Sequence, residues 1–130
     1  MTKFWLPLML LAFAVQISAA DVSGLWNMNL KADWTTIPAL VCRLSQDGQK
    51  LTGGCRAVRD SSEDETKLTA GTVEGNRISL QWRIVTPDGQ PWTYTLAGTL
   101  DAKEAMIEGN FTIANADTKA GGGSFTANRQ

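Results

Sequence analysis

The sequence predicts an all-β fold, an eight-stranded antiparallel up-and-down β-barrel with one disulfide. Three observations support this prediction. Short segments with alternating apolar and polar residues recur along residues 21–130, with turn residues between them, which is typical of consecutive antiparallel strands. No part of this range repeats its apolar residues at the spacing of a helix. Its only cysteines are Cys42 and Cys55, enough for one disulfide.

The first twenty residues have the pattern of a secretory signal peptide. Lys3 is followed by an apolar run from Phe4 to Val15 and then by Ser18-Ala19-Ala20, which match the charged, apolar and small-residue regions of such a leader. The run is shorter than the roughly 20 apolar residues of a membrane span. We predict a signal peptide over 1–20, cleavage after Ala20, and one domain over 21–130. An uncleaved membrane anchor is the alternative.

Charge and composition narrow the classes of partner. Of the 12 Lys and Arg residues, Lys3 lies in the leader, so 11 basic residues remain against 13 acidic ones. This balance predicts no nucleic-acid binding. Cleavage of the leader would leave no stable membrane span. The chain has no histidine, and two cysteines alone are too few ligands for a zinc site. We therefore predict no metal and no cofactor. The leader predicts a periplasmic or secreted location, and the oxidising conditions there favour a Cys42–Cys55 disulfide.

The strands can be assigned in chain order. In the first, Trp26, Met28 and Leu30 alternate with more polar neighbours. Gly- or Pro-containing turns and short polar loops separate most of the others. The predicted strands are GLWNMNL (24–30), ALVCRLS (39–45), KLTGGCRAV (50–58), LTAGTVE (68–74), RISLQWRIV (77–85), WTYTLAGTL (92–100), AMIEGNFTI (105–113) and GSFTANR (123–129). Their regular spacing favours a meander that closes on itself.

The turn between the fifth and sixth strands sets the register of two tryptophans. Thr86-Pro87-Asp88-Gly89-Gln90 fits a type I turn followed by a left-handed glycine, which is a three-residue hairpin loop. Thr86 then lies opposite Gln90, so Trp82 pairs with Tyr94 and Ile84 pairs with Trp92. Because opposite residues share a face, this register collects the apolar side chains on the inside of the barrel.

The other hairpins predict the same inside face. A four-residue loop formed by DAKE places Leu100 opposite Ala105 and Tyr94 opposite Phe111. Glycines then alternate with large residues on the inward face, so that the large side chains fit inside a small barrel. Two independent turns therefore give one consistent interior.

The first hairpin brings the two cysteines together. A two-residue turn formed by Asp47 and Gly48 places Leu44 opposite Leu51. Cys42 and Cys55 are then diagonal neighbours, and a bulge at Gly53-Gly54 would bring them into bonding range. We predict a structural rather than a redox role for this disulfide, because the spacing of a Cys-x-x-Cys motif is absent.

Chain direction places the longer loops at one end of the barrel, which we call the open end. The mouth of a barrel is a preferred position for a ligand site. The candidate ligand-binding residues are Trp34, Thr69, Trp82, Trp92, Tyr94 and Phe111. Trp34 is interpreted as a lid or as a contact for a partner, and Thr69 as a polar anchor beside Trp82. The alternative is a filled core, because eight strands enclose a space that side chains alone can occupy.

Catalytic chemistry receives little support from the sequence. No histidine is present, and no serine lies in a recognisable nucleophile motif. The acidic stretch Glu63-Asp64-Glu65 lies in a polar loop and does not have the spacing of a calcium-binding loop. We predict that the protein is not an enzyme.

Gly24-Leu25-Trp26 in the first strand and Arg129 at the end of the last lie at the same barrel end. This combination resembles the calycin superfamily of lipocalins, fatty-acid-binding proteins and avidins. The resemblance implies that Gly24, Trp26 and Arg129 close that end. ISLQW followed by WTYTLAG resembles the corresponding strands of avidins. Trp82 of this chain matches the position of a tryptophan that lines the avidin ligand site. Met28 stands where avidins have an asparagine, so the implied ligand is a small apolar or aromatic molecule other than biotin.

Two further resemblances concern exported bacterial barrels. GTVEGNRISL and GGGSFTANR resemble small exported barrels without an assigned activity. IPALVCRL, with the Gly-x-Trp start, resembles bacterial metalloprotease inhibitors, which implies a protease as partner and an inhibitory arm at Asp21 to Ser23. The alternatives to a small apolar ligand are therefore protease inhibition, or binding of an envelope or secreted protein by a barrel with a filled core.

Overall fold

The computed structural model describes residues 21–32, 34–35, 37–58, 65–115 and 119–130, without the side chains of 119 and 120. It confirms the predicted fold class, because eight antiparallel strands form one closed barrel in chain order. The strands are β1 (Gly24–Ala32), β2 (Leu40–Asp47), β3 (Lys50–Ala57), β4 (Thr66–Glu74), β5 (Arg77–Val85), β6 (Pro91–Leu100), β7 (Met106–Ala114) and β8 (Lys119–Arg129). The predicted leader and most of the acidic loop lie outside the described residues.

The register predicted between β5 and β6 is confirmed. Trp82 lies opposite Tyr94 and Ile84 opposite Trp92. The Thr86 amide donates a hydrogen bond to the Gln90 carbonyl at 3.0 Å, which closes the expected three-residue loop. The turn therefore directs Trp82, Tyr94 and Trp92 to the same inward face.

The register predicted between β6 and β7 is wrong by two residues. Leu100 lies opposite Ile107 rather than Ala105, and Tyr94 lies opposite Ile113 rather than Phe111. The cause is Asp101, whose carboxylate accepts hydrogen bonds from the amides that follow the turn, at 2.9 and 3.1 Å. This side-chain cap holds a loop that starts one residue later than predicted. A shift of two keeps every side chain on its predicted face.

The first hairpin also differs from its predicted register by two residues. Leu44 lies opposite Gly53, and Cys42 lies directly opposite Cys55. Gly48, with a φ of 61°, occupies the first central position of the turn instead of the second, which moves the whole ladder. The predicted disulfide is confirmed, with an S–S distance of 2.01 Å. It needs no bulge within this hairpin.

The middle of the barrel is filled by apolar side chains. Trp82 and Phe111 are each 1% exposed, and the Trp82 ring stacks on Tyr94 with 5.5 Å between ring centroids. The other buried side chains with no more than 2% exposure are Trp26, Met28, Leu44, Leu51, Leu80, Leu96, Ile107, Val22, Val73, Cys42 and Ala127. No polar or charged side chain of the described residues is buried. The core therefore reaches from the end of the barrel that contains Trp26 up to the layer that contains Trp82.

Arg129 covers one end of this core, which we call the closed end. Its guanidinium carbon lies 4.5 Å from the centroid of the Trp26 ring, and Trp26 is fully buried. The guanidinium donates hydrogen bonds to three backbone carbonyls, those of Asp21, Ser23 and Glu104, at 2.7, 2.7 and 3.0 Å. The cation thus ties the start of the described chain, the β6–β7 loop and the last strand together.

Val22 forms the rest of this closed end. It is fully buried, its amide donates a hydrogen bond to Gln46 Oε1 at 2.9 Å, and its carbonyl accepts one from Trp26 Nε1 at 2.9 Å. Gly24 leaves room for Arg129, since an added Cβ would lie 3.3 Å from Nη1. The three residues before β1 are therefore part of the barrel and do not project from it.

Candidate functional site

The open end exposes inward-facing apolar side chains that the rest of the barrel buries. Ile84 and Trp92 form the outermost inward pair of β5 and β6. Ile84 is 36% exposed, and Trp92 is only partly buried, as is Tyr94 in the next layer. Ile37, Leu40 and Leu68 complete the partly buried apolar surface. This surface is the part of the interior that a ligand can reach from solvent.

Two of the predicted ligand-binding residues lie too deep for direct access. Trp82 and Phe111 are each 1% exposed, and Phe111 lies one layer below Tyr94, opposite Leu96. Their side chains lie below the layer formed by Ile84 and Trp92. The filled-core alternative therefore describes the middle of the barrel, whereas the open end retains accessible apolar surface.

Trp34 packs on a glycine of β8 at the open end. An added Cβ on Gly121 would stand 2.8 Å from Trp34 Nε1, and Gly121 has a φ of 134°. Gly121 is opposite the buried Ile113 and therefore belongs to the inward face. Trp34 is still 52% exposed. Trp34 therefore contacts the inward face of β8 and keeps half of its surface exposed, and both interpretations of it, as a lid and as a partner contact, stay predictions.

Thr69 does not occupy the inward position that the sequence predicts. A bulge between Leu68 and Ala70 places Leu68 opposite Trp82, and Thr69 is exposed, donating its hydroxyl to the Gln81 carbonyl at 3.1 Å. Leu68, not Thr69, packs against the core beside Trp82. The bulge has no marker in the sequence, because alternation alone does not reveal an inserted residue.

Tyr94 supplies a hydroxyl group at the open end. Its hydroxyl makes no hydrogen bond with any described residue, and no buried polar atom in that part of the chain is left without a partner. The hydroxyl is therefore in reach of solvent. Burial of the ring raises the pKa of the Tyr94 phenol, so it remains protonated at neutral pH and can donate or accept a hydrogen bond.

The rim of the open end carries further exposed apolar residues. Val58, after β3, is 54% exposed and Val85, at the end of β5, is 61% exposed. Val85 points outward, opposite Pro91. Together with Trp34 they give this end an apolar outer surface, whereas Leu25 is the large exposed apolar side chain near the closed end.

A separate groove of about 460 Å³ lies on the outer face of β4 to β7. Its wall includes Glu74, Arg77, Ser79, Thr99 and Glu108, which are exposed residues of the outward face. The groove shares no residue with the open end. It lies outside the barrel and mixes polar with apolar surface, whereas the sequence predicts a ligand site on the inward face.

Neither a metal centre nor a known family assigns a chemistry to these residues. In the described ranges, no three His, Cys, Asp or Glu side chains are grouped so that they could hold a metal ion. The same ranges contain no helix with the length and apolarity of a membrane span. No protein-family model matches the chain. No curated protein matches it either.

Proposed function

We propose that the protein is an exported binding module that holds one small apolar molecule at the open end of its barrel, without catalysing a reaction. The observation that carries this proposal is a contrast in burial along the inward face. Large inward side chains below the Trp92 and Tyr94 layers are at most 4% exposed, whereas Ile84 at the mouth is 36% exposed. Accessible apolar surface enclosed by strands is the usual lining of a ligand site.

The filled middle of the barrel limits how deep the ligand reaches. Trp82 and its stacked partner Tyr94 lie under the mouth, with ring planes 13° apart, and Phe111 lies below them. A ligand therefore rests on the Tyr94 layer and is enclosed by Ile84 and Trp92. A shallow site of this kind suits a compact molecule, not a long acyl chain.

The driving force is removal of apolar surface from water. Burial is worth about 25 cal/mol per Å² of apolar surface, and aromatic rings that stack add about 0.5–1.5 kcal/mol per pair. Trp92, Tyr94 and Trp34 offer such rings at the open end, each with exposed area. A small aromatic molecule obtains both contributions.

Two neighbouring residues on opposite faces test the position of the site. Ile84→Ala removes an inward side chain, and Val85→Ala removes an outward one at the same height. With a panel of one- to three-ring compounds followed by tryptophan fluorescence, we expect Ile84→Ala to weaken binding about tenfold and Val85→Ala to leave it unchanged. Trp92→Ala should abolish binding. Equal effects of the two alanine variants, or no response to any compound, would contradict the proposal.

Export and the calycin resemblance belong to this proposal. The leader pattern of residues 1–20 and the Cys42–Cys55 disulfide support export, because disulfides persist in oxidising compartments. The contact of Arg129 with the Trp26 ring supports a calycin-like barrel, which the resemblance associates with small apolar ligands. Mass spectrometry of the protein purified from its own envelope fraction tests both points, through the N-terminal residue and any copurifying molecule.

A second candidate function is binding of an envelope or secreted protein through the rim. The exposed side chains of Trp34, Val58 and Val85 favour it, since such apolar clusters occur at interaction sites. The protease-inhibitor version is less well supported, because Val22 in the middle of the proposed arm is fully buried. For a rim partner, Val85→Asp should abolish binding and Ile84→Ala should not, the reverse of the pattern for a ligand inside the mouth.

A further inference from the structure

We infer that the ligand of the open end is an uncharged, flat aromatic molecule with one hydrogen-bonding group, and that the Tyr94 hydroxyl anchors that group. This inference rests on the proposed function and adds the class of ligand and the residue that selects it. It follows from three features of the open end: the charge of its lining, the position of its one phenol, and its depth.

Among the described residues, the lining of the open end offers no counter-charge for an ion. All buried side chains of the described residues are apolar, and the partly buried ones that pack against them at the open end are Ala32, Ile37, Leu40, Leu68, Trp92 and Tyr94. Arg83 lies opposite Thr93, in the outward register of β5 and β6, and is exposed. An ionised ligand would lose hydration without gaining a partner, which is strongly unfavourable.

The Tyr94 hydroxyl is the group of the described lining that can both donate and accept a hydrogen bond, whereas the Trp92 indole can only donate one. Its ring is held in place by the stack on Trp82, at 5.5 Å between centroids, so the direction of the hydroxyl is set by a side chain that is itself buried. The hydroxyl has no hydrogen-bond partner among the described residues. A preorganised donor and acceptor of this kind selects ligands that complete its hydrogen bond and disfavours those that cover it without one.

The depth of the site selects a compact ring. Trp92 and Tyr94 are two residues apart on β6, so their layers are separated by about 7 Å along the strand. A site one layer deep suits one or two fused aromatic rings that rest on Tyr94 and contact Trp92. A polar group on the lower edge of such a ring then meets the Tyr94 hydroxyl.

Three probes that share one ring system separate these features: naphthalene, naphthol and naphthoate, titrated by calorimetry at neutral pH. For the wild-type protein we expect naphthol to bind tightest and naphthoate at least about tenfold more weakly. Tyr94→Phe removes the hydroxyl and keeps the ring, so it should weaken naphthol about three- to tenfold. It should strengthen naphthalene, which no longer covers an unpaired hydroxyl. Thr93→Val, which removes a hydroxyl from the outward face, is the matched control and should change nothing.

The outcomes distinguish this inference from the function on which it rests. If naphthoate binds as tightly as naphthol, or if Tyr94→Phe leaves naphthol affinity unchanged, the inferred ligand class is overturned while binding at the open end stands. If none of the three probes binds, both fail. The thermal unfolding temperature of Tyr94→Phe should be close to that of the wild type. A loss of affinity in this variant then results from the missing hydroxyl and not from a disturbed fold.

Discussion

The two ends of the barrel place aromatic residues in opposite situations. At the closed end, Trp26 is fully buried, its indole nitrogen donates a hydrogen bond to a carbonyl, and the Arg129 guanidinium lies over its ring. At the open end, Trp92 is only partly buried and Trp34 is 52% exposed. The same type of side chain is fully enclosed at one end and left accessible at the other.

If the proposed function holds, this difference separates stability from ligand binding along the barrel axis. The closed end uses one cation to hold three backbone carbonyls, a fixed arrangement that leaves no room for a ligand. The open end leaves apolar area in contact with water, which does not stabilise the folded chain but is available for binding. Substitutions at the closed end should therefore change the free energy of unfolding, and substitutions at the open end should change the affinity for a ligand.

The largest expected effect on stability is that of Trp26→Ala. Removing a fully buried tryptophan and its hydrogen bond should lower the free energy of unfolding by about 3–5 kcal/mol, measured by urea denaturation. Trp92→Ala, at the open end, should lower it by no more than about 1 kcal/mol while abolishing ligand binding. Similar losses of stability for the two variants would show that the ends do not differ in the way described.

Loss of the disulfide, which joins β2 and β3 in the barrel wall, should have the next largest effect on the free energy of unfolding. Cys42 lies opposite Trp26 on β1, and its bond to Cys55 spans 13 residues. Replacing both cysteines with alanine should lower the free energy of unfolding by about 3 kcal/mol. A reductant should destabilise the wild type by a similar amount and leave the alanine variant unaffected. Ligand affinity of the still-folded fraction should not change, because neither cysteine lies at the open end.

Apart from Thr69 at the β4 bulge, the faces of the site residues could be predicted from the sequence, but the residue opposite each one often could not. The two register errors, at the turn with Gly48 and at the loop with Asp101, each moved a ladder by two positions, which leaves side chains on the same face. The predicted interior therefore survived. The true registers depend on which turn position a glycine takes and on a carboxylate that caps two amides, and neither is visible in apolar alternation.

The candidate site was predictable to the same extent. Trp82, Trp92, Tyr94 and Phe111 all lie in the inward-facing register of β5 to β7, because their hairpins preserve that face. Their depth was not predictable, since accessibility depends on packing from strands that are distant in sequence. Thr69 was misplaced by a bulge in β4, which moves one residue off the alternation and leaves no trace in composition.

The smallest expected effect compares two turn carboxylates, Asp101 at the closed end and Asp88 at the open end. Hydrogen bonds to these carboxylates lower the pKa of both: two backbone amides act on Asp101, and the Thr86 hydroxyl with the Gln90 amide act on Asp88. A lowered pKa stabilises the folded chain above the unfolded value of about 3.9, and this stability is lost as pH falls through the folded value.

Asn variants at these two positions, followed by urea denaturation from about pH 6 to about pH 2.5, measure that loss. Each variant should be less stable than the wild type at the upper pH, and the difference should shrink as the pH falls, since asparagine does not titrate. Asp101→Asn should show the larger difference, because the loop that Asp101 caps also supplies the Glu104 carbonyl to Arg129, whereas the Asp88 turn belongs to a hairpin tip. A larger difference for Asp88→Asn would show instead that the open end depends on its turn for stability.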